Sequence, residues 1–268
     1  MIFHYAFMIR AIIAGSLVSL CSALLGVCLV LKRYSMIGDG LSHVGFGSLA
    51  IAMALNLAPL AVSIPVCIIA AFFLLRLSGD TSIKGDAAIA LLSSSALAIG
   101  ILVTSLTSGL NTDVTSYMFG SILAMSKTDV GIAIALAAVV IVLFFVFYRQ
   151  IFSVTFDETF AKASGLNVQF YNTLIALLTA LTVVIGMRLM GAMMISSLII
   201  FPALTSMRIF KSFKAVIISS AIVSLFCFFA GIVISFYCAS PAGATIVVVN
   251  LLTFLVFSLI SYIKSLKI

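Results

Sequence analysis

The sequence predicts an all-α integral membrane protein, a polytopic bundle of about nine transmembrane helices, and three observations carry that reading. Only 8% of the 268 residues are charged and 64% are hydrophobic, whereas a soluble domain is about a quarter charged, so the chain cannot cover a core with a water-facing surface. Apolar residues run in unbroken stretches such as IAIALAAVVIVLFFVF, not in the apolar-polar alternation of a transmembrane barrel. Most stretches are near the ~20 residues that a helix needs to cross a bilayer, and a helix satisfies its own backbone hydrogen bonds there.

Cutting at charges, prolines and polar clusters gives segments at about 9–31, 34–55, 57–77, 86–108, 128–148, 170–187, 189–207, 214–237 and 243–263, all within a single transmembrane domain over residues 1–268. The first ends on Lys32 and Arg33 without a small-residue cleavage site, and so reads as a retained helix and not as a removed signal. The second carries Asp39 and His43. Between the fourth and fifth lies the longest outer connection, whose FGSIL stretch reads as a short interfacial helix. Only Met187 and Arg188 separate the sixth from the seventh, which leaves open a re-entrant turn and a count of eight.

Charge fixes the orientation. With the N-terminus outside and the C-terminus in the cytoplasm, 11 of the 14 Lys and Arg residues fall on the inner side and Arg10, Lys127 and Arg188 on the outer, the asymmetry that inserted helices show. The net charge of +7 then reads as anchoring to anionic lipid by residues such as Lys32 and Arg33, and no nucleic-acid partner is needed. Cys21, Cys28, Cys67, Cys227 and Cys238 form no CxxC or Cys/His cluster and read as small buried hydrophobes.

Among the seven acidic residues, Asp39 alone sits inside an apolar segment, and His43 follows it by four positions. The helical period places both side chains on one face about 6 Å apart along the axis. An ionisable group in a membrane costs about 2.5–3.5 kcal/mol on insertion scales, so it needs a partner or a task. Carboxylate and imidazole together can chelate a divalent ion such as Zn²⁺, Mn²⁺ or Fe²⁺. The same two groups suit a proton relay in an ion-coupled carrier, and a third reading is a satisfied helix-end charge near Lys32 and Arg33 beside a packed histidine. Gly47, Ala50 and Ala54 continue the face with small side chains, and Gly38, Gly40 and Gly45 flank it. Close approach of another helix becomes possible, including the second helix of a symmetric partner, which would bring two Asp39 and two His43 together.

The longest inner connection is Arg149–Asn172. Thr155 stands at capping-box spacing from Glu158, and Gly165 can end the helix that follows. Asp157, Ala161 and Gly165 recur every four residues, small enough for a partner to pack closely; the rival reading is an amphipathic helix on the membrane surface. Met187, Met190 and Met194 share one helix face near the outer end of the seventh segment, as packing, a gate or soft ligands. Pro202 interrupts the seventh segment and frees a backbone carbonyl.

KRYSMIGDGLSHVGFG, GDAAIALLSSSALAIGIL, SYMFGSILAMSKTD, VTFDETFAKASG and MGAMMISSLIIFPALTS resemble, in that order, the blocks of the permease subunits of ABC importers for zinc, manganese or iron(II). The resemblance covers most of the chain. It implies a multi-pass protein of the bacterial inner or plasma membrane, a homodimer that works with two cytoplasmic ATPase subunits and an extracytoplasmic metal-binding protein. It also implies that Asp39 and His43 belong to the transmembrane metal site, and that Asp157, Glu158, Ala161 and Gly165 mark the ATPase-coupling helix. The chain has no GxxxxGK[ST] loop, so it is expected not to be an enzyme itself and to hold no permanent cofactor, only the divalent ion in transit. The other functions open to such a chain are an ion-coupled secondary carrier, an ABC permease for a metal chelate or vitamin, and a membrane scaffold without transport.

Overall fold

The computed structural model describes residues 6–79, 85–107 and 127–265, and all regular structure among them is helical. Among the described residues nine long helices stand on the nine apolar segments: α1 (Ala6–Leu31), α2 (Ile37–Ala54), α3 (Pro59–Gly79), α4 (Gly85–Leu106), α5 (Lys127–Val146), α8 (Val168–Met190), α9 (Ala192–Met207), α10 (Phe213–Cys238) and α11 (Ala242–Ser265). Two short helices, α6 (Tyr148–Phe156) and α7 (Glu158–Ala163), fill the inner connection. Six of the described helices are long and apolar enough to cross a membrane. The polar residues and glycines of α2 keep it out of that set. FGSIL lies outside the described residues.

Packing divides the bundle into centre and rim. Helix α1 is surrounded by α5, α8, α9 and α10, and α2 by α3, α4, α8 and α9, while α11 leans mainly on α9 and α10. The helices with most exposed apolar side chains, such as α4 with Leu91, Ile99, Ile101 and Leu102, are the rim. Glycine decides how closely the central helices meet. A Cβ at Gly26 of α1 would lie 1.9 Å from the Ile199 carbonyl oxygen of α9, and one at Gly47 of α2 would lie 2.6 Å from the Ala96 carbonyl oxygen of α4. Backbone contact of this kind is what small residues permit between membrane helices.

Three expectations change here. The division between the sixth and seventh segments falls at Gly191, whose φ of +89° suits glycine and breaks the chain, and not at Met187 and Arg188. Met187 and Met194 therefore lie on different helices, and no continuous methionine face exists. Four cysteines are buried as expected, but Cys238 at the end of α10 is exposed. Pro202 stays inside α9, where it leaves the Leu198 carbonyl without its helical donor.

The small face of α2 is used within the chain. Gly38 meets Ile199 of α9, Gly40 meets Ile89 and Ser93 of α4, Gly45 meets Met187 of α8 and Cys67 of α3, and Gly47 meets α4. Ala50 is buried as well. These positions seat α2 in its own bundle and leave no room there for the second helix of another copy.

Candidate metal site and cytoplasmic helix

From Ile37 to Ala50 every residue of α2 is buried except Asp39 and His43. Over those fourteen positions the helix is thus uncovered only at its two ionisable side chains, while Ile51 near its far end is exposed. Helix α2 begins at Ile37, so Asp39 stands in its first turn, where the unpaired backbone N–H groups favour negative charge. The expectation of a site well inside the second span becomes a site at the start of that helix. Ser42 donates to the backbone carbonyl of Asp39 over 2.8 Å, which ties down the same turn.

Asp39 Oδ2 lies 3.6 Å from His43 Nε2, longer than a good hydrogen bond. Ser196 of α9 donates to Asp39 Oδ1 over 3.0 Å. Sequence reasoning missed Ser196; its only sign was a serine pair inside the apolar run MMISSLII. The three donors are a carboxylate, an imidazole and a hydroxyl, an oxygen and nitrogen set that suits divalent first-row ions better than copper(I). Two ligands bound at about 2.05 Å and at the tetrahedral angle stand about 3.3 Å apart. The observed gap is within a few tenths of an ångström of that distance. His43 exposes 17% of its side chain and Asp39 35%, so both remain open to an ion. Among the described residues no group of three or more His, Cys, Asp and Glu side chains gathers. One chain thus supplies two strong donors and a weak one. Lys32 is occupied elsewhere, so it does not satisfy Asp39 as a helix-end charge.

The inner connection resolves into two helices with different characters. Helix α6 is amphipathic: Ile151, Val154 and Thr155 are buried, while Arg149, Phe152 and Phe156 are exposed. Phe152 and Phe156 pack against Phe213 at 5.0 and 5.7 Å between ring centroids, the first tilted and the second edge-on, which pins α6 to the start of α10. Helix α7 is capped by Asp157, whose Oδ1 accepts from the Phe160 N–H over 2.9 Å. Thr155 is buried inside α6 and does not cap it, because the chain turns at Asp157, whose backbone is extended. Gly165, with φ of +84°, ends the segment as expected.

Ala161 departs from expectation: it is fully buried against the chain itself. The outward positions of α7 are Thr159, Phe160, Lys162 and Ala163, and Phe160 exposes 65% of its surface. Helix α7 is held from the other side by Lys32 at the end of α1. Its Nζ lies 2.6 Å from Glu158 Oε1 and donates to the Val154 carbonyl over 2.9 Å. Asn172 of α8 donates to the same Glu158 oxygen over 3.1 Å. Burial alone would raise the pKa of Glu158, but the hydrogen bonds from Lys32 and Asn172 outweigh it and hold the carboxyl below its ordinary 4.5. Lys32, read from sequence as a lipid anchor, is an internal ion-pair partner.

Compared with known proteins, residues 4–261 match the model of the ABC 3 transport family. The chain belongs to that family. It is a membrane permease of the metal-ion ABC importers, and a multi-pass membrane protein. The manganese import system permease protein ScaB of Streptococcus gordonii is 30% identical over 95% of this chain and 90% of its own length. ZnuB of Haemophilus influenzae, the membrane protein of a high-affinity zinc uptake system, is 27% identical over 91% and 94%. The solved structure of PsaBC from Streptococcus pneumoniae in complex with Fab superposes with a TM-score of 0.86 at 30% identity, covering 96% of this chain and 92% of that one. Manganese and zinc family members are thus about equally distant from this chain.

Proposed function

We propose that this chain is the transmembrane pathway of an ATP-driven importer that moves a divalent transition-metal ion, zinc, manganese or iron(II), into the cytoplasm. One observation carries the reading: α2 is buried everywhere along Ile37–Ala50 except at Asp39 and His43, whose spacing suits chelation. The proposed ion ligands are Asp39 and His43, with Ser196 holding the carboxylate in place. Water or further protein oxygens complete the four to six positions such ions take.

In this reading the nine long helices all cross the membrane, with the N-terminus outside and the C-terminus inside. Two copies form the pathway. A carboxylate facing lipid would cost about 2.5–3.5 kcal/mol, and a second copy across the open side of Asp39 and His43 removes that exposure. The copies meet around these residues and not through Gly47 and Ala50, which are filled from within. An ATPase subunit docks on the outward face of α7 with Phe160 as its anchor, and an extracytoplasmic binding protein delivers the ion.

The test is uptake of radioactive manganese and zinc into vesicles that contain the chain with its ATPase. The reading expects uptake that needs ATP hydrolysis and disappears in Asp39→Ala and His43→Ala, with the ATPase still bound. Uptake driven by a proton gradient without ATP would make the chain a secondary carrier, and wild-type rates in both variants would move the site elsewhere.

A further inference from the structure

The junction of Lys32, Val154, Glu158 and Asn172 joins four helices at one charged pair. Lys32 exposes only 5% of its side chain, and both of its contacts, the Glu158 carboxylate and the Val154 carbonyl, belong to the cytoplasmic segment. An ammonium this buried is poorly hydrated, so its attachment depends on these two oxygens. Asn172 adds a hydrogen bond from α8 to the same carboxylate oxygen. Burial, and the negative charge of Glu158, also raise the pKa of Tyr34, in the turn that follows Lys32.

What lies beyond Lys32 gives the junction its interest. The chain turns at Arg33, whose φ of +61° is left-handed. The turn is closed by hydrogen bonds from Tyr34 N–H to Leu29 and from Arg33 N–H to Val30, and Ile37 N–H then bonds to Tyr34. A corner tied in this way transmits displacement and does not absorb it. Asp39 follows Lys32 by seven residues, in the first turn of the helix that begins at this corner.

We propose that Lys32 and Glu158 are positioning residues that fasten α7 to the α1–α2 corner, so that a movement of α7 displaces the start of α2 and with it Asp39. The proposal rests on the reading of α7 as the ATPase-docking helix for its role in transport, but the physical link is a property of the chain alone. Glu158 Oε1 is then engaged from within the chain by Lys32 and Asn172, while Phe160 on the same helix faces outward. The pair converts a push on α7 into a change at the carboxylate that holds the ion.

Two measurements test it. In vesicles containing the chain with its ATPase, Lys32→Met and Glu158→Ala are expected to keep the ATPase bound and hydrolysing ATP, while the manganese or zinc moved per ATP falls roughly tenfold, the size of a typical coupling between sites. The reversed pair, Lys32→Glu with Glu158→Lys, restores part of that ratio. Unchanged transport per ATP overturns the proposal, as does a loss of ATPase binding that matches the loss of transport, which would make the pair a structural support only. In the chain without ATPase, spin labels at Ser35→Cys and Lys162→Cys, in a background lacking the native cysteines, give a narrow distance distribution that broadens in Glu158→Gln, a variant that keeps the side-chain shape. A distribution that stays narrow overturns the link whether or not α7 docks an ATPase. If wild-type chain retains no ATPase, the docking reading fails and the label distances still decide the link.

Discussion

Two charged pairs in this protein meet the same physical problem in opposite ways. Lys32 and Glu158 are 2.6 Å apart, share a backbone carbonyl and an asparagine amide, and connect four helices. Asp39 and His43 are 3.6 Å apart on one helix, with a single serine as outside partner and an uncovered side. The first pair is partnered by the fold, with one Glu158 oxygen taken by both Lys32 and Asn172. The second is held in place but left short of partners, at the only uncovered positions along most of α2. Charge in a membrane protein is therefore better sorted by how fully it is partnered than by whether it is present. Incomplete partnering of a rigidly placed group is what a passing ion requires, since an ion bound by a fully satisfied site would have hydrogen bonds to break first.

The largest effects expected from this contrast are at the open pair. Asp39→Ala and His43→Ala each abolish metal uptake with only a small change in melting temperature, because the one link between helices that they lose is the single hydrogen bond from Ser196 to Asp39; a large fall in melting temperature without loss of uptake would reverse the assignment. Next is Ala161→Trp. Ala161 is fully buried, so the indole must displace packed neighbours at a cost of about 1–3 kcal/mol, read as lower thermal stability. Phe160→Ala, on the exposed face of the same helix, leaves stability unchanged and weakens ATPase retention. Equal effects of the two variants on stability would show that α7 is not seated as described.

Ser196→Ala removes one hydrogen bond to Asp39 and is expected to weaken uptake affinity about fivefold, about 1 kcal/mol, with no effect on ATPase binding. The smallest effect belongs to the satisfied pair and depends on pH. The folded state holds Glu158 below its ordinary 4.5, so the unfolded state binds the proton first. The pair's contribution is then complete above about pH 4.5, is lost as pH falls through the lowered folded value, and does not change near neutrality. Half the Glu158 side chain is exposed, so solvent screening limits the contribution to about 1 kcal/mol or less. The difference in melting temperature between wild type and Glu158→Gln should therefore shrink in acid; a difference that grows in acid would contradict the pairing. Ala50→Cys, which a shared small face of α2 would crosslink between two copies, is expected to give no crosslink, because Ala50 is buried within its own chain.

The sequence by itself determined most of the architecture, for a reason specific to membranes. A bilayer forces each crossing segment to be a helix of nearly fixed length and apolar throughout, so helix positions could be read from composition, and each apolar segment carries one long helix in the structure. Asp39 and His43 were legible for the same reason: ionisable groups stand out in an apolar run, and four-residue spacing needs only helical periodicity to bring them together. The tertiary structure alone decided which way each face turns. The helices are apolar on nearly every side, so no pattern showed that Gly47 would meet Ala96 of the same chain, or that Ala161 would face inward and Phe160 outward. Ser196 joined Asp39 across a separation of 157 residues, and Lys32 joined Glu158 across 126. Neither pairing leaves a local trace, because within a bilayer a serine beside a carboxylate, or a lysine at a helix end, looks the same in sequence whether it binds water, lipid or a distant helix. Burial sorted these cases, and burial is a property of the folded bundle.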